Sequence, residues 1–222
     1  MPIQIMIDPV GDQNSVSPCY ISLNIEVEDS DLEEIEGRMD DISPLLNRIA
    51  RIMRRAAADR FRNGGPGWRP LAPSTVASKL AANAPPTMAS GKVFPRFRQY
   101  GSLSAPATTI LIRSGALRDS WVRKNDRNHF EDIDPEEGTV VIGSELPYAS
   151  VHQMGSPPRL IVPVAAPALR FMVADGRWIF RKAVNHPGLP PRPVELQPKD
   201  ELLIAEEVQA YLRRRREEDQ GE

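Results

Sequence analysis

The sequence predicts an α+β fold: a mostly antiparallel β-sheet packed against one long amphipathic helix, with a long Pro/Ser/Gly-rich loop and a C-terminal helix. Three observations carry this expectation. Residues 20–27, YISLNIEV, place Ile21, Leu23, Ile25 and Val27 at alternate positions, the period of a half-buried strand. Residues 43–61, SPLLNRIARIMRRAAADRF, set Leu45, Leu46, Ile49, Ile52, Met53, Ala56 and Ala57 at helical spacing, an apolar stripe broad enough to face a core. The 22 prolines, dense after Pro147, favour extended segments and turns over long helices in the second half.

Composition bounds the class. A chain of 222 residues is long enough to bury a sizeable core and is expected to form a single domain over 1–222. Hydrophobic residues at 41% and charged residues at 26% are ordinary for a globular protein. A net charge of -2 argues against a protein that coats nucleic acid, which is usually strongly basic. No run approaches the roughly 18–20 apolar residues that span a bilayer, so no membrane partner is expected. The start, MPIQIMIDPV, lacks the basic and apolar regions of a secretory signal. The single cysteine, Cys19, excludes an intrachain disulfide framework and fits a reducing compartment.

The elements follow in order. Ser30 precedes Glu33 at capping-box spacing, and Leu32, Ile35 and Met39 continue at helical intervals, predicting a short helix there. The long helix over 44–62 starts with Ser43 as its cap and Pro44 where a missing N–H is harmless, and Gly64 and Gly65 end it. Its arginines Arg48, Arg51, Arg54 and Arg55 read as a solvated face in preference to a nucleic-acid contact. WRPLAPSTVASKLAAN, residues 68–83, offers Ser74 as the cap of a short helix. Residues 84–108 have no sustained period and read as a long loop insertion. That loop interleaves Lys92, Arg96 and Arg98 with Phe94, Phe97 and Tyr100, a composition suited to stacking on single-stranded nucleic acid, or to docking on a neighbouring subunit, the preferred reading.

Residues 110–121, ILIRSGALRDSW, read as a strand, then Ser114 as a cap, then a short helix that puts Leu117 and Trp121 on one face. GTVVIGS at 138–144 and RLIVPV read as strands, and LRFMVADGRWIFRKAV as a hairpin turning at Asp175-Gly176. The Pro-rich arm, 186–198, is extended. A closing helix over 199–216 carries Leu203, Glu207 and Ala210 on one stripe, with Arg213–Arg216 in its last turns, where cations suit the helix dipole.

Candidate chemistry is sparse. His129, His152 and His186 have no metal-ligand spacing with one another or with Cys19. FEDIDPEE gathers Glu131, Asp132, Asp134, Glu136 and Glu137, which invites a metal-dependent nuclease, but acids in one Pro-containing turn read better as a solvated loop. Ser114 lies outside a Gly-x-Ser-x-Gly elbow, GDQNS lacks the spaced acids of a calcium loop, and GGPG lacks the Gly-Lys-Ser/Thr ending of a phosphate loop. No catalytic residue, metal or cofactor is expected. His152 reads as a hydrogen-bonded structural histidine, and Trp68, Leu71, Leu117, Trp121 and Trp178 as core or interface anchors.

Taken in order, the blocks WRPLAPSTVASK, ILIRSGALRDSW, VVIGSELPYASVHQMG and LPPRPVELQPKDELLIAEEVQAYL resemble the virion morphogenesis family of tailed bacteriophages, the tail-completion proteins of Mu-like and related phages. The resemblance spans most of residues 30–212, with Val194 where the family commonly has Phe. It implies a non-enzymatic virion protein that joins head to tail or completes the tail. Such a protein assembles in the host cytoplasm as a homo-oligomeric ring, hexameric by the usual tail symmetry or dodecameric nearer the portal. The implied partners are neck, connector or tail-tube proteins, with packaged DNA within reach. Candidate subunit-interface residues are then Phe94, Arg96, Phe97, Arg98 and Tyr100 on the loop, Tyr148, His152 and Gln153 after the strand, and Pro190, Pro191, Arg192 and Pro193 on the arm. The competing class is a nucleic-acid-binding protein or metal-dependent nuclease in phage DNA handling.

Overall fold

The computed structural model of the 222-residue chain describes residues 3–10, 18–27, 42–73, 75–76, 79, 108–172 and 178–220. The loop residues Phe94, Arg96, Phe97, Arg98 and Tyr100, the helix expected after Ser30 and the Asp175-Gly176 turn lie outside them.

The fold is α+β. Strands β1 (Ile3–Val10), β2 (Cys19–Val27), β3 (His129–Asp134) and β4 (Thr139–Ser144) form one antiparallel sheet in the order β1-β2-β4-β3. The expected alternation in β2 holds where it is described: Cys19, Ile21 and Leu23 are buried, beside Val140 and Ile142 of β4. Across these strands packs α1 (Ser43–Asn63), which meets β3 and β4 and buries Leu45, Leu46, Ile49, Ala50, Met53, Ala56, Ala57 and Phe61. Burying a Leu, Ile or Phe side chain is worth about 1.5–3 kcal/mol, so this stripe is the main adhesive between helix and sheet. The cap of α1 is the backbone of Ile42, whose carbonyl accepts from Leu45 and Leu46 at 3.0 and 3.1 Å, one residue before the expected Ser43.

The ILIRSG segment differs from expectation. It is a turn, with Leu111 at φ 58°, because Lys79 reaches into it and donates to the carbonyls of Thr109 and Ile112. Those carbonyls are thereby drawn out of any sheet pairing. The following helix, α2 (Ala116–Val122), starts from Gly115 at φ 94°, a left-handed conformation that only glycine adopts cheaply, and Ser114 Oγ stands 3.4 Å from the Ala116 amide. Leu117 and Trp121 are buried against α1, as the spacing predicts. After Trp68 the amides of Thr75 and Val76 donate to the Ala72 carbonyl at 2.9 and 3.1 Å, so the cap is Ala72, two residues before the expected Ser74.

FEDIDPEE is also reassigned. Residues 129–134 are strand β3, paired to β4, and only Asp134 to Gly138 turns, with Asp134 Oδ1 accepting the amides of Glu136 and Glu137 at 2.9 and 3.1 Å.

Beyond the sheet, α3 (Ala149–Met154) leads to β5 (Arg159–Ile161), which pairs with β8 (Val184–His186), while β6 (Leu169–Met172) pairs with β7 (Trp178–Arg181) as a separate ribbon. The last helix, α4 (Pro198–Gln220), packs on α1 through Ile204, Val208 and Tyr211. Its buried stripe is therefore one position off the expected one, and Leu203 is half exposed. The helix runs to Gln220, so Arg213–Arg216 sit before its last turn.

Candidate functional site

Three of the motif blocks meet in space around residues 189–197. Gly155 ends α3 at φ 79°, and its missing side chain leaves room for the Leu189 carbonyl. Ser156 and Leu189 then exchange backbone hydrogen bonds of 2.9 and 3.0 Å. Further along, the Arg192 amide donates to the His152 carbonyl at 2.9 Å, and the Val194 amide to Gln153 Oε1 at 2.8 Å. From the other side, Trp68 Nε1 donates to the Pro193 carbonyl at 3.1 Å, and Arg192 Nη2 to the Arg69 carbonyl at 3.1 Å. Proline removes amides that would otherwise need partners, and the amides that remain are the ones bonded here.

The Pro-rich arm thus folds back as a strap over the rest of its own chain. Arg192, Val194 and Leu196 are buried, Pro190 and Pro193 half-buried and Pro191 exposed. Gln153 is buried, His152 half-buried, and Tyr148 is 41% exposed with its ring edge-on to His152 at 5.9 Å. Burial, with the Arg192 charge adding to it, pushes the His152 pKa down, so His152 is neutral at pH 7 and acts as part of the strap's seat. Of the expected anchors, Trp68, Leu117 and Trp121 are buried, and Leu71 is only half-buried. Trp178 lies on the β6–β7 ribbon and is 40% exposed, so it is no core residue.

At its far end the strap is pinned by charge. Arg60 of α1 forms an ion pair with Asp200 in the first turn of α4, both side chains 5% exposed, and Arg60 Nε donates to the Glu195 carbonyl at 3.4 Å. Asp200 Oδ2 also accepts the Gln197 amide at 2.9 Å, closing the N-terminus of α4.

A second polar cluster lies under the sheet edge. Glu131 of β3 is 6% exposed and takes Arg54 of α1, Lys124 at 2.8 Å and His129 Nε2 at 3.4 Å. His129 Nδ1 meets the Ser120 carbonyl at 2.8 Å, and the buried Ser120 and Ser144 hydroxyls pair at 2.7 Å. Burial pushes the Glu131 pKa up, but Lys124, Arg54 and His129 together hold it below the usual carboxylate range. One carboxylate held by three bases is a structural knot, and among the described residues no three His, Cys, Asp or Glu side chains are grouped as metal ligands. Arg48 likewise pairs with Glu207 of α4 at 2.8 Å. So two of the four arginines expected to be solvated cross-link the helices and sheet instead. Cys19 is buried, which pushes its thiol up to about 11 and leaves it protonated at neutral pH.

The β6–β7 ribbon exposes three aromatic side chains. Phe171, Trp178 and Phe180 are 39%, 40% and 58% exposed, and the register places Trp178 and Phe180 on one face and Phe171 on the other. The Arg170 guanidinium lies 4.0 Å over the Trp178 ring and 6.0 Å from that of Phe180. Sequence periodicity located the hairpin but could not tell that both of its faces carry exposed aromatics.

Comparison with protein-family models, with curated proteins and with solved structures finds no match to this chain.

Proposed function

We propose that this protein is a structural subunit of a tailed-phage virion, a tail-completion or head–tail joining protein that works as a ring at the head-proximal end of the tail. The observation that carries the reading furthest is the β6–β7 ribbon. A two-stranded hairpin is at best marginally stable alone in water, and this one exposes Phe171, Trp178 and Phe180. Aromatics beside an arginine are the usual anchors of protein interfaces, and the ribbon's outer edges, unpaired among the described residues, can extend a neighbour's sheet. A head-to-tail ring needs two different surfaces that complement each other, and the ribbon supplies one. The four sequence blocks named above support the phage assignment.

The experiment is genetic and visual. The gene is removed from the phage that carries it and complemented with wild type or with Trp178→Ser/Phe180→Ser, and lysates are examined by electron microscopy. Filled heads and tails accumulating apart, or tails with abnormal ends, are expected without the gene and with the double variant. Normal infectious virions in the absence of the protein refute the proposal.

A further inference from the structure

Charge is divided unevenly along the second half of the chain. Residues 128–158 hold six acids, Glu131, Asp132, Asp134, Glu136, Glu137 and Glu145, and no Lys or Arg. Residues 159–194 hold six bases and one acid, Asp175. The fold sends the two stretches to different places. The first forms β3, β4 and their turn, while the second carries the β6–β7 ribbon, which makes no extensive contact with any other described element.

On the sheet, Cys19, Ile21, Leu23, Val140 and Ile142 are buried in the core with α1. Tyr20, Phe130 and Val141 alternate onto the opposite face, where they are only half-buried, and Asp132 on that face is exposed. The register sets Tyr20, Gly143 and Phe130 in one row across β2, β4 and β3. The two rings meet over the glycine with centroids 4.8 Å apart, and a Cβ at Gly143 would strike Tyr20. The next row sets Asp132 beside Val141, and the turn beyond adds the exposed Glu136 and Glu137. This face is therefore an aromatic pair with carboxylates beside it, and none of the four strands contains a Lys or Arg.

The ribbon carries the opposite pattern at the same spacing. Trp178 and Phe180 stand two residues apart on one face, and Arg170, across from Phe180 in the register, lies 4.0 Å over the Trp178 ring. Just before the ribbon, Leu160, Val162 and Val164 are exposed as well.

We propose that the ribbon docks on the sheet face opposite α1 of a second copy of this chain. Trp178 and Phe180 lie against Tyr20 and Phe130 of that copy, and Arg170 meets Asp132, with Glu136 and Glu137 at the rim. This rests on the reading of the protein as a ring subunit, and adds the second, complementary surface that a head-to-tail contact requires. A second copy is favoured over nucleic acid because the chain itself carries the complement, and because exposed aliphatic side chains offer phosphate nothing to bind. Apolar contact supplies most of the affinity in such an interface, while the charge pairs fix register and reject wrong partners.

Sedimentation velocity on the purified chain, over a series of protein concentrations, reads the self-association. Wild type should associate. Arg170→Glu alone, and Asp132→Lys/Glu136→Lys, should each weaken association on the order of 10-fold or more, because like charges then face each other. Combining the three substitutions in one chain brings opposite charges together again and should restore most of the loss. Glu195→Lys/Glu206→Lys, an equal change of charge on the strap and α4, should associate like wild type. All five positions are exposed, so the fold is retained, which melting curves check. A wild-type chain that stays monomeric, the same loss in the control, or no recovery in the combined variant overturns the proposal. So does DNA binding that Arg170→Glu abolishes while self-association is unchanged. If Trp178→Ser/Phe180→Ser abolishes association and Asp132→Lys/Glu136→Lys does not, this pairing is overturned and the ribbon meets a different surface. The ring reading then stands, since its own refutation is normal virions without the gene.

Discussion

Replacing Asp200 by Asn removes one charge from the pair that pins the end of the strap. Asn keeps an oxygen for the Gln197 amide, so the N-terminus of α4 stays closed. What is lost is the counter-charge for Arg60, whose side chain is 5% exposed and whose other bond, to the Glu195 carbonyl, is long at 3.4 Å. Leaving a buried charge unpaired costs about 3–5 kcal/mol. In a chain of this size each kcal/mol lowers the melting temperature by about 2–4 °C, so Asp200→Asn should melt about 6–20 °C below wild type. The double variant Arg60→Met/Asp200→Asn has no buried charge left to strand. It should therefore recover at least about 2 kcal/mol relative to Asp200→Asn, although it has lost one more native side chain. Urea and thermal melts of the four proteins complete the cycle. If Asp200→Asn melts within about a degree of wild type, or if the two substitutions simply add, the pair is not what holds the strap to α1.

Two further perturbations probe the rest of the frame. Trp121, 2% exposed against α1, should cost about 3–5 kcal/mol on truncation to Ala, read as a large drop in melting temperature; a change of a degree or two would show that it is no core anchor. Glu131 sets an acid limit. Its folded pKa lies below the unfolded value, so its contribution is present above the unfolded pKa, about 4.3, and is lost as pH falls through the folded value. Glu131→Gln should therefore be less stable than wild type at pH 7, with the gap closing below about pH 4. Melting curves of both proteins across pH 3–7 check this, and a gap that is independent of pH refutes it.

What was legible in the sequence was whatever depends on near neighbours. The stripe of α1, the β2 alternation and the Leu117–Trp121 spacing each repeat a local period, and each lies in the core. β1 carries the same local signal, with Ile3, Ile5 and Ile7 at alternate positions. Charges were the other failure. Arg48 meets Glu207 at a separation of 159 residues, and Arg54 meets Glu131 at 77. No local pattern distinguishes an arginine that finds such a partner from one that stays solvated. The same holds for β3: its acids and the nearby Pro135 favour a solvated loop locally, whereas three bases brought by α1, by β3 itself and by the residues after α2 stabilise a buried Glu131.

The strap shows how these long-range contacts bear on assembly. A proline-stiffened arm is suited to reaching across to a neighbour, because little entropy is lost when it docks. Here the amides of Arg192 and Val194 are bonded within the subunit, and Val194 and Leu196 are in its core. Lifting the arm out would break those hydrogen bonds and expose two apolar side chains, a cost of several kcal/mol before any neighbour is met. An arm so held contributes to an interface through what it fixes in place. Its exposed Pro191 and the half-exposed Tyr148 ring on the same seat are thereby held in fixed positions. If the chain assembles as proposed, the reaching role falls to elements with exposed aromatics and few bonds to the body, and among the described residues that is the β6–β7 ribbon.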